Sequence, residues 1–266
     1  MSYGASEDKK LGIPGENGVN VLSAKSFVGW YNGHPWDKNL QFSLKDVDTV
    51  VIIGNGNVAV DVARILLKPV EELAGTDICQ HAIDVLKSSD VRNVHIVGRR
   101  GPLQSAFTAK ELRELCSLKR VNVNIDRTFL NEQLVKYSNY LAGNRRYKRM
   151  TEILSSSQKL PPHPLNKNLY FDFLSSPSEI LLDEDRCVKG VELIENELIE
   201  DSPETETNVH DQRVRATERK KALSCQLLVR SIGYQGVVFP GIPFDLKRSL
   251  VPNDRGRVIL DNGEVC

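Results

Sequence analysis

One stretch constrains the fold of this chain more than any other: Thr49-Val50-Val51-Ile52-Ile53-Gly54-Asn55-Gly56-Asn57-Val58-Ala59-Val60-Asp61-Val62-Ala63-Arg64. A β-branched apolar run reads as a strand and enters a Gly-x-Gly-x-x-Ala turn. Val58, Val62, Ile65 and Leu66 then recur at helical spacing until Pro69. In that order, strand, turn and helix open a βαβ unit that binds the pyrophosphate of a dinucleotide. Gly54 permits the tight turn, Gly56 lets a phosphate approach the backbone, and Ala59 lets the helix pack close to the strand. The free N–H groups and the dipole at the helix start favour an anion. A tight βα turn without a ligand is the alternative that the string alone would allow.

The surrounding pattern supports the first reading. Residues 48–125 read as β-α-α-β-α-β. Asp77 and Gln80 stand at capping-box spacing before a second helix whose core face is Ile78, Ala82, Val85 and Leu86. Val94 to Gly98 is the next strand. Thr108 and Glu111 form another capping box, opening a helix through Leu112, Leu115 and Leu118, and Val121 to Ile125 alternates like a strand. Strands alternating with helices imply an α/β fold with a Rossmann-like parallel sheet. Residues 130–160 read as helical and basic. Residues 168–232 turn to β character, with strands at 169–174, 188–194 and 223–232, and so form an antiparallel excursion. The acidic run through Glu192, Glu195, Glu197, Glu200, Asp201, Glu204 and Glu206 reads as an exposed hairpin loop. Residues 1–47 hold few periodic segments. Val19 to Leu22 suggests a short strand, and the aromatic stretch Phe27 to Gly33 reads as a packed connecting segment.

Bulk properties narrow the classes. Lysine plus arginine and aspartate plus glutamate are 35 each, so net charge points to no nucleic-acid partner. No apolar run approaches the roughly 18 residues of a membrane-spanning helix. The five cysteines are scattered, with no C-x-x-C pair, which argues against a disulfide framework or a zinc site and for small buried filler. The first residues lack the apolar core of a signal peptide and the arginine-rich helix of a transit peptide.

The second strand identifies the dinucleotide. An NAD site carries an acid at that strand end, bonded to the ribose, whereas an NADP site carries arginine for the 2′-phosphate. Here the strand ends Val97-Gly98-Arg99-Arg100-Gly101-Pro102, with no acid and two guanidinium forks. The spacing from the glycine turn exceeds the usual ~20 residues, which the extra helix at 77–88 accounts for. Glu111 has two readings, as the closing residue of a capping box or as a ribose ligand.

These motifs resemble one family. Gly-Asn-Gly-Asn-Val-Ala-x-Asp-x-Ala-Arg from Gly54, and Val-Gly-Arg-Arg-Gly-Pro-Leu-Gln-x-Ala-Phe-Thr-x-Lys-Glu-Leu-Arg-Glu from Val97, are similar to adrenodoxin reductase, the mitochondrial-type NADPH–ferredoxin reductase family. Ser2 to Ala5, Phe27 to Gly33 and Ser231 to Tyr234 match as well. The likeness runs from Ser2 to about Asp261 and is weakest over 155–222. The resemblance implies the NADP domain of a flavoprotein with two dinucleotide-binding domains. NADP(H) would meet Gly54, Asn55, Gly56, Asn57 and Val58 through its pyrophosphate, Arg99 and Arg100 through its 2′-phosphate, and Glu111 through its ribose. FAD would serve in the complete protein, and an acidic ferredoxin- or adrenodoxin-type iron–sulfur protein would take the electrons. The mitochondrial matrix would be the location. The family's earlier Gly-x-Gly-x-x-Gly turn for FAD is not found before residue 48, nor its later Gly-Trp-x-x-Arg-Gly segment before Cys266. The implied organisation is therefore an inter-domain connection and FAD-domain stub at 1–47, the NADP domain at 48–230, and a partial return into the FAD domain at 231–266. Met1 is accordingly not expected to be the natural start.

Hydride transfer between nicotinamide and flavin needs alignment more than acid–base chemistry, so no catalytic nucleophile is expected. Asp61, about one turn into the phosphate-binding helix, has two readings: an acid suited to a helix start, or a group facing a flavin. Arg145 and Arg149 lie one turn apart on a helix. With Lys110 and Arg113 they form a candidate patch for the acidic partner, against a plain solvated face. The competing functions are an NADPH-binding part of a reductase and a truncated NADP-binding module without activity of its own. A thioredoxin-reductase-like enzyme would carry C-x-x-C in this domain, which the sequence lacks.

Overall fold

A computed structural model describes residues 5–157, 160–161, 163–199, 209–260 and 262–264. The strands are β1 (Glu7–Asp8), β2 (Val21–Ser23), β3 (Thr49–Ile53), β4 (Asn93–Val97), β5 (Val121–Ile125), β6 (Lys167–Asp172), β7 (Ser175–Leu182), β8 (Val188–Leu198), β9 (Val214–Ser224), β10 (Leu227–Arg230), β11 (Tyr234–Gln235), β12 (Asn253–Asp254) and β13 (Arg257–Val258). The helices are α1 (Ala24–Tyr31), α2 (Asn57–Leu67), α3 (Val70–Leu73), α4 (Gln80–Lys87), α5 (Ala109–Cys116), α6 (Arg127–Lys136), α7 (Ser138–Gly143) and α8 (Arg145–Ser156). Contacts divide the chain into Gly12–Ser231 and a smaller unit of Met1–Leu11 with Ile232–Cys266.

The larger unit is built on a six-stranded sheet in the order β2-β10-β3-β4-β6-β5, every neighbouring pair parallel. This is the α/β, Rossmann-like sheet that the sequence implies. Val50, Val51, Ile52 and Ile53 are all buried, as are Leu227, Leu228 and Val229. A central strand of a parallel sheet is covered on both faces, which is why these strands read as unbroken apolar runs. The antiparallel excursion is the sheet β7-β8-β9. In the smaller unit β1 pairs with β11, Glu7 opposite Gln235, and β12 pairs with β13.

Several local expectations change. The aromatic stretch belongs to a helix, α1, whose N-cap Ser23 accepts from the Ser26 N–H. Phe27 and Trp30 are buried, with Phe42 edge-on to Trp30 at 4.7 Å. The 130–160 segment is three helices, with breaks at Tyr137 and Asn144. The acidic run begins inside a strand: Glu192, Glu195 and Glu197 lie on β8 and pair with Lys220, Arg219 and Arg215 of β9. Its later members, Glu200 to Glu206, fall outside the described residues, as do Ser2 to Gly4 of the family-like N-terminus and Cys266. The strand read at 223–232 is two, because the chain turns at Cys225-Gln226 from the antiparallel to the parallel sheet. Of the cysteines, Cys225 is buried, while Cys79, Cys116 and Cys187 are partly exposed.

Neither capping box forms. α4 starts at Gln80 after Cys79, and no side chain caps it; α5 has Thr108 as N-cap without a bond from its hydroxyl. No described helix is long and apolar enough to cross a membrane.

Candidate functional site

The site lies at the carboxyl ends of β3 and β4, where a doubly wound sheet offers a crevice. Gly54 ends β3 with φ +125, a conformation that L side chains rarely adopt. Gly56 differs. Its φ of −107 suits most residues, but a Cβ built there meets no atom within 4 Å, so the turn faces open space. Gly56 is also the N-cap of α2, and no side chain occupies the helix start. The backbone N–H groups there are available to an anion. Val58 lies partly buried against the core, and Ala59, Val62, Ile65 and Leu66 anchor the helix behind it.

The two asparagines of the turn reach across to the next loop. Asn55 Nδ2 donates to Ser105 Oγ at 3.1 Å, and the Ala106 N–H donates to the Asn55 carbonyl at 3.1 Å. A Cβ on Gly98 would approach Asn55 Nδ2 to 2.6 Å, so the glycine after β4 makes room for this contact. Asn57 Oδ1 accepts from the Thr108 N–H at 2.8 Å. That is the donor a capping-box Glu111 would have taken. Glu111 is thereby released, and its Oε2 is buried without a hydrogen-bond partner among the described residues.

Arg99 and Arg100 follow β4 on a loop whose backbone is bonded on several sides. The Leu174 N–H donates to the Arg100 carbonyl, the Ser175 N–H to the Gly98 carbonyl, and Asn196 Nδ2 to the Arg99 carbonyl. Arg99 is exposed and Arg100 half-buried. Burial, then repulsion from Arg99, holds the Arg100 guanidinium below its usual pKa, with Asp211 and Tyr147 opposing. Arg100 Nη1 donates to the His210 carbonyl at 2.8 Å. Beside this loop a groove of about 430 Å³ opens, lined in part by Phe173, Leu174, Asn196 and Lys221.

Asp61 forms an ion pair with Arg64 at 2.9 Å, and Arg64 reaches Glu114 of α5 at 3.2 Å, tying α2 to α5. Burial disfavours the charge on Arg64, but the bond and attraction from Asp61 and the charge of Glu114 outweigh it, leaving its pKa above the ordinary value. Lys110 and Arg113 are exposed on α5, and Arg145 and Arg149 are exposed on α8, which packs against α5. No metal-ligating cluster occurs among the described residues.

The structure places Gly54, Asn55, Gly56, Asn57 and Val58 at the turn and the start of α2, Arg99 and Arg100 on the loop after the neighbouring strand β4, and Glu111 on α5, whose N-cap Thr108 is bonded to Asn57. Gly98, Ser105 and the interlocking roles of the two asparagines are not read from the sequence. A glycine after a strand looks like ordinary punctuation, and a bond between residues fifty positions apart leaves no spacing signal.

No family model matches the sequence. The chain is 41% identical over 266 residues to the mitochondrial NADPH:adrenodoxin oxidoreductase of Arabidopsis thaliana, an alignment covering 97% of this chain and 53% of that protein. It is 42% identical to the NADPH-ferredoxin reductase FprA of Mycobacterium tuberculosis (97% and 54% covered) and 40% to the human mitochondrial NADPH:adrenodoxin oxidoreductase (100% and 54%). The solved structure of M. tuberculosis FprA in complex with NADPH superimposes with a TM-score of 0.85 at 41% identity, covering 96% of this chain and 54% of that one. The chain spans about half the length of the curated relatives it matches.

Proposed function

We infer, for a chain homologous over 97% of its length to the NADPH:adrenodoxin oxidoreductase family, that it is the NADP(H)-binding portion of a flavin-dependent reductase delivering electrons to a ferredoxin-type iron–sulfur protein. The observation that carries this reading is the open cradle over Gly56 placed beside Arg99 and Arg100. The cradle accepts a pyrophosphate and the guanidinium forks accept a 2′-phosphate, while Glu111, not engaged in a cap, is the ribose ligand through a carboxylate that must turn out of its buried position. The residues present therefore fit NADP(H), which when bound supplies the hydride.

The chain's own residues bind and orient. The N–H groups at the start of α2 hold the pyrophosphate. Arg99 and Arg100 select the phosphorylated cofactor, and Asn55 and Asn57 keep turn and loop at a fixed separation. FAD is the second cofactor that this reading assigns to the reductase. The alternative, a module that binds NADP(H) without turnover, is not better supported by the likeness to these reductases. In the organisation we propose, 48–230 is the NADP domain, while 1–47 and 231–266 connect it to a flavin domain.

Lys110, Arg113, Arg145 and Arg149 form the surface we propose for the acidic iron–sulfur partner, since four exposed cations on two packed helices would steer an acidic protein. Mitochondrial and bacterial relatives match equally well, at 41% and 42% identity, so the likeness does not choose between compartments.

Replacing Arg99 and Arg100 together by alanine tests the cofactor assignment. Binding of NADP⁺ should fall by about a hundredfold or more, two charge-assisted contacts being lost, while NAD⁺ binding stays as it was. An equal loss for both nucleotides would remove the assignment.

A further inference from the structure

Two glutamines outside the cofactor-facing set stand behind the arginine loop. Gln104 is 1% exposed and Gln212 is 6% exposed, 108 residues apart in sequence. Gln104 Nε2 donates to Gln212 Oε1 at 3.1 Å and to the Val209 carbonyl at 3.1 Å. Gln212 Oε1 also accepts from the hydroxyl of Tyr137, between α6 and α7, at 3.1 Å, and Gln212 Nε2 donates to the Ile199 carbonyl at 3.0 Å. The peptide they hold, 209–212, presents the His210 carbonyl to Arg100 Nη1. A Cβ at Gly101 would come within 2.8 Å of Gln104 Oε1, so the glycine beside Arg100 leaves room for the buried amide.

We propose that Gln104 and Gln212 are positioning residues for the 2′-phosphate arginines, docking the 209–212 segment on Arg100 so that its guanidinium is preset for the phosphate. The proposal rests on the assignment of Arg99 and Arg100 to the 2′-phosphate. Buried amides are costly unless bonded; Gln104 Nε2 and both polar atoms of Gln212 are bonded while Gln104 Oε1 is buried without a partner among the described residues, and these bonds converge on a peptide that is hydrogen-bonded to Arg100. A guanidinium has five N–H donors in one plane. Spending one on a fixed carbonyl sets that plane and leaves four for phosphate oxygens. Without the carbonyl, Arg100 would have to order its long side chain against the repulsion of Arg99, and that cost would be charged to binding.

The test uses the whole 266-residue chain with 2′,5′-ADP and 5′-AMP as probes, nucleotides that differ by the 2′-phosphate alone. Gln212→Leu should weaken 2′,5′-ADP by about tenfold, the equivalent of one hydrogen bond, and leave 5′-AMP unchanged. In an Arg100→Ala background the same substitution should cost nothing further, since its effect runs through Arg100. Tyr137→Phe, which deletes one bond to Gln212 and should fold even where Gln212→Leu does not, should shift 2′,5′-ADP in the same direction by about threefold. The proposal is overturned if 2′,5′-ADP affinity is unchanged, if both probes weaken alike, or if the penalty persists in the Arg100→Ala background. A parent chain that does not prefer 2′,5′-ADP to 5′-AMP would instead remove the cofactor assignment, and this proposal with it.

Discussion

Gly54 and Gly56, two positions apart, have different requirements. Gly54 is constrained by its own backbone, with φ +125. Gly54→Ala should destabilise the fold by about 1–3 kcal/mol, read by chemical denaturation. Gly56 is constrained by what lies outside it, since its φ of −107 admits other residues and the space beyond is open. Gly56→Val should therefore leave stability within about 1 kcal/mol and abolish nucleotide binding. A valine variant that binds NADP⁺ normally would show that the phosphate does not pass there. The sequence motif already separates these roles, tight turn at Gly54 and phosphate approach at Gly56, and the structure supplies their physical form in φ and in surrounding space. Glu111 differs. Its spacing from Thr108 suggests a cap, and only the bond from Thr108 N to Asn57 Oδ1 shows that its carboxylate is not used for one.

At the scale of elements, the strands and helices that make the parallel sheet are legible because burial on both faces imposes continuous apolar runs. α1 and β9 are less so. Gly29 and the aromatic residues of α1 are poor helix formers, and the helix holds because Phe27, Trp30 and Tyr31 pack. β9 carries Arg215, Glu218, Arg219, Lys220 and Lys221 and is a strand through cross-strand pairs with Glu192, Glu195 and Glu197 of β8, acids that a charge pattern read in one dimension assigns to a loop. Asn57 links α2 to α5, so Asn57→Ala should cost about 1 kcal/mol in denaturation, the price of an uncapped N–H. The contact between β6 and β9 is pH-dependent. Burial raises the Asp172 pKa, but His95 at 2.7 Å and Lys221 at 3.3 Å outweigh it, leaving Asp172 below its ordinary 3.8. A depressed carboxylate contributes stability above its unfolded pKa and loses it as pH falls through the folded one. Asp172→Asn should thus lower stability at neutral pH and flatten the acid limb of the stability curve below about pH 4.

At the scale of the molecule, the described fold supplies one nucleotide cradle and one basic surface, on a chain spanning about half of its relatives. On the function proposed above, Arg149→Glu should slow association with an acidic ferredoxin several-fold at low salt, with the difference shrinking as salt rises. Unchanged association kinetics would place the partner elsewhere. Calorimetry of the purified chain with NADP⁺ against NAD⁺ reads the cofactor preference itself. NADP⁺ should bind at least ~100-fold more tightly than NAD⁺, from two guanidinium contacts to the 2′-phosphate. Equal affinity for the two, or a preference for NAD⁺, would contradict the cofactor assignment.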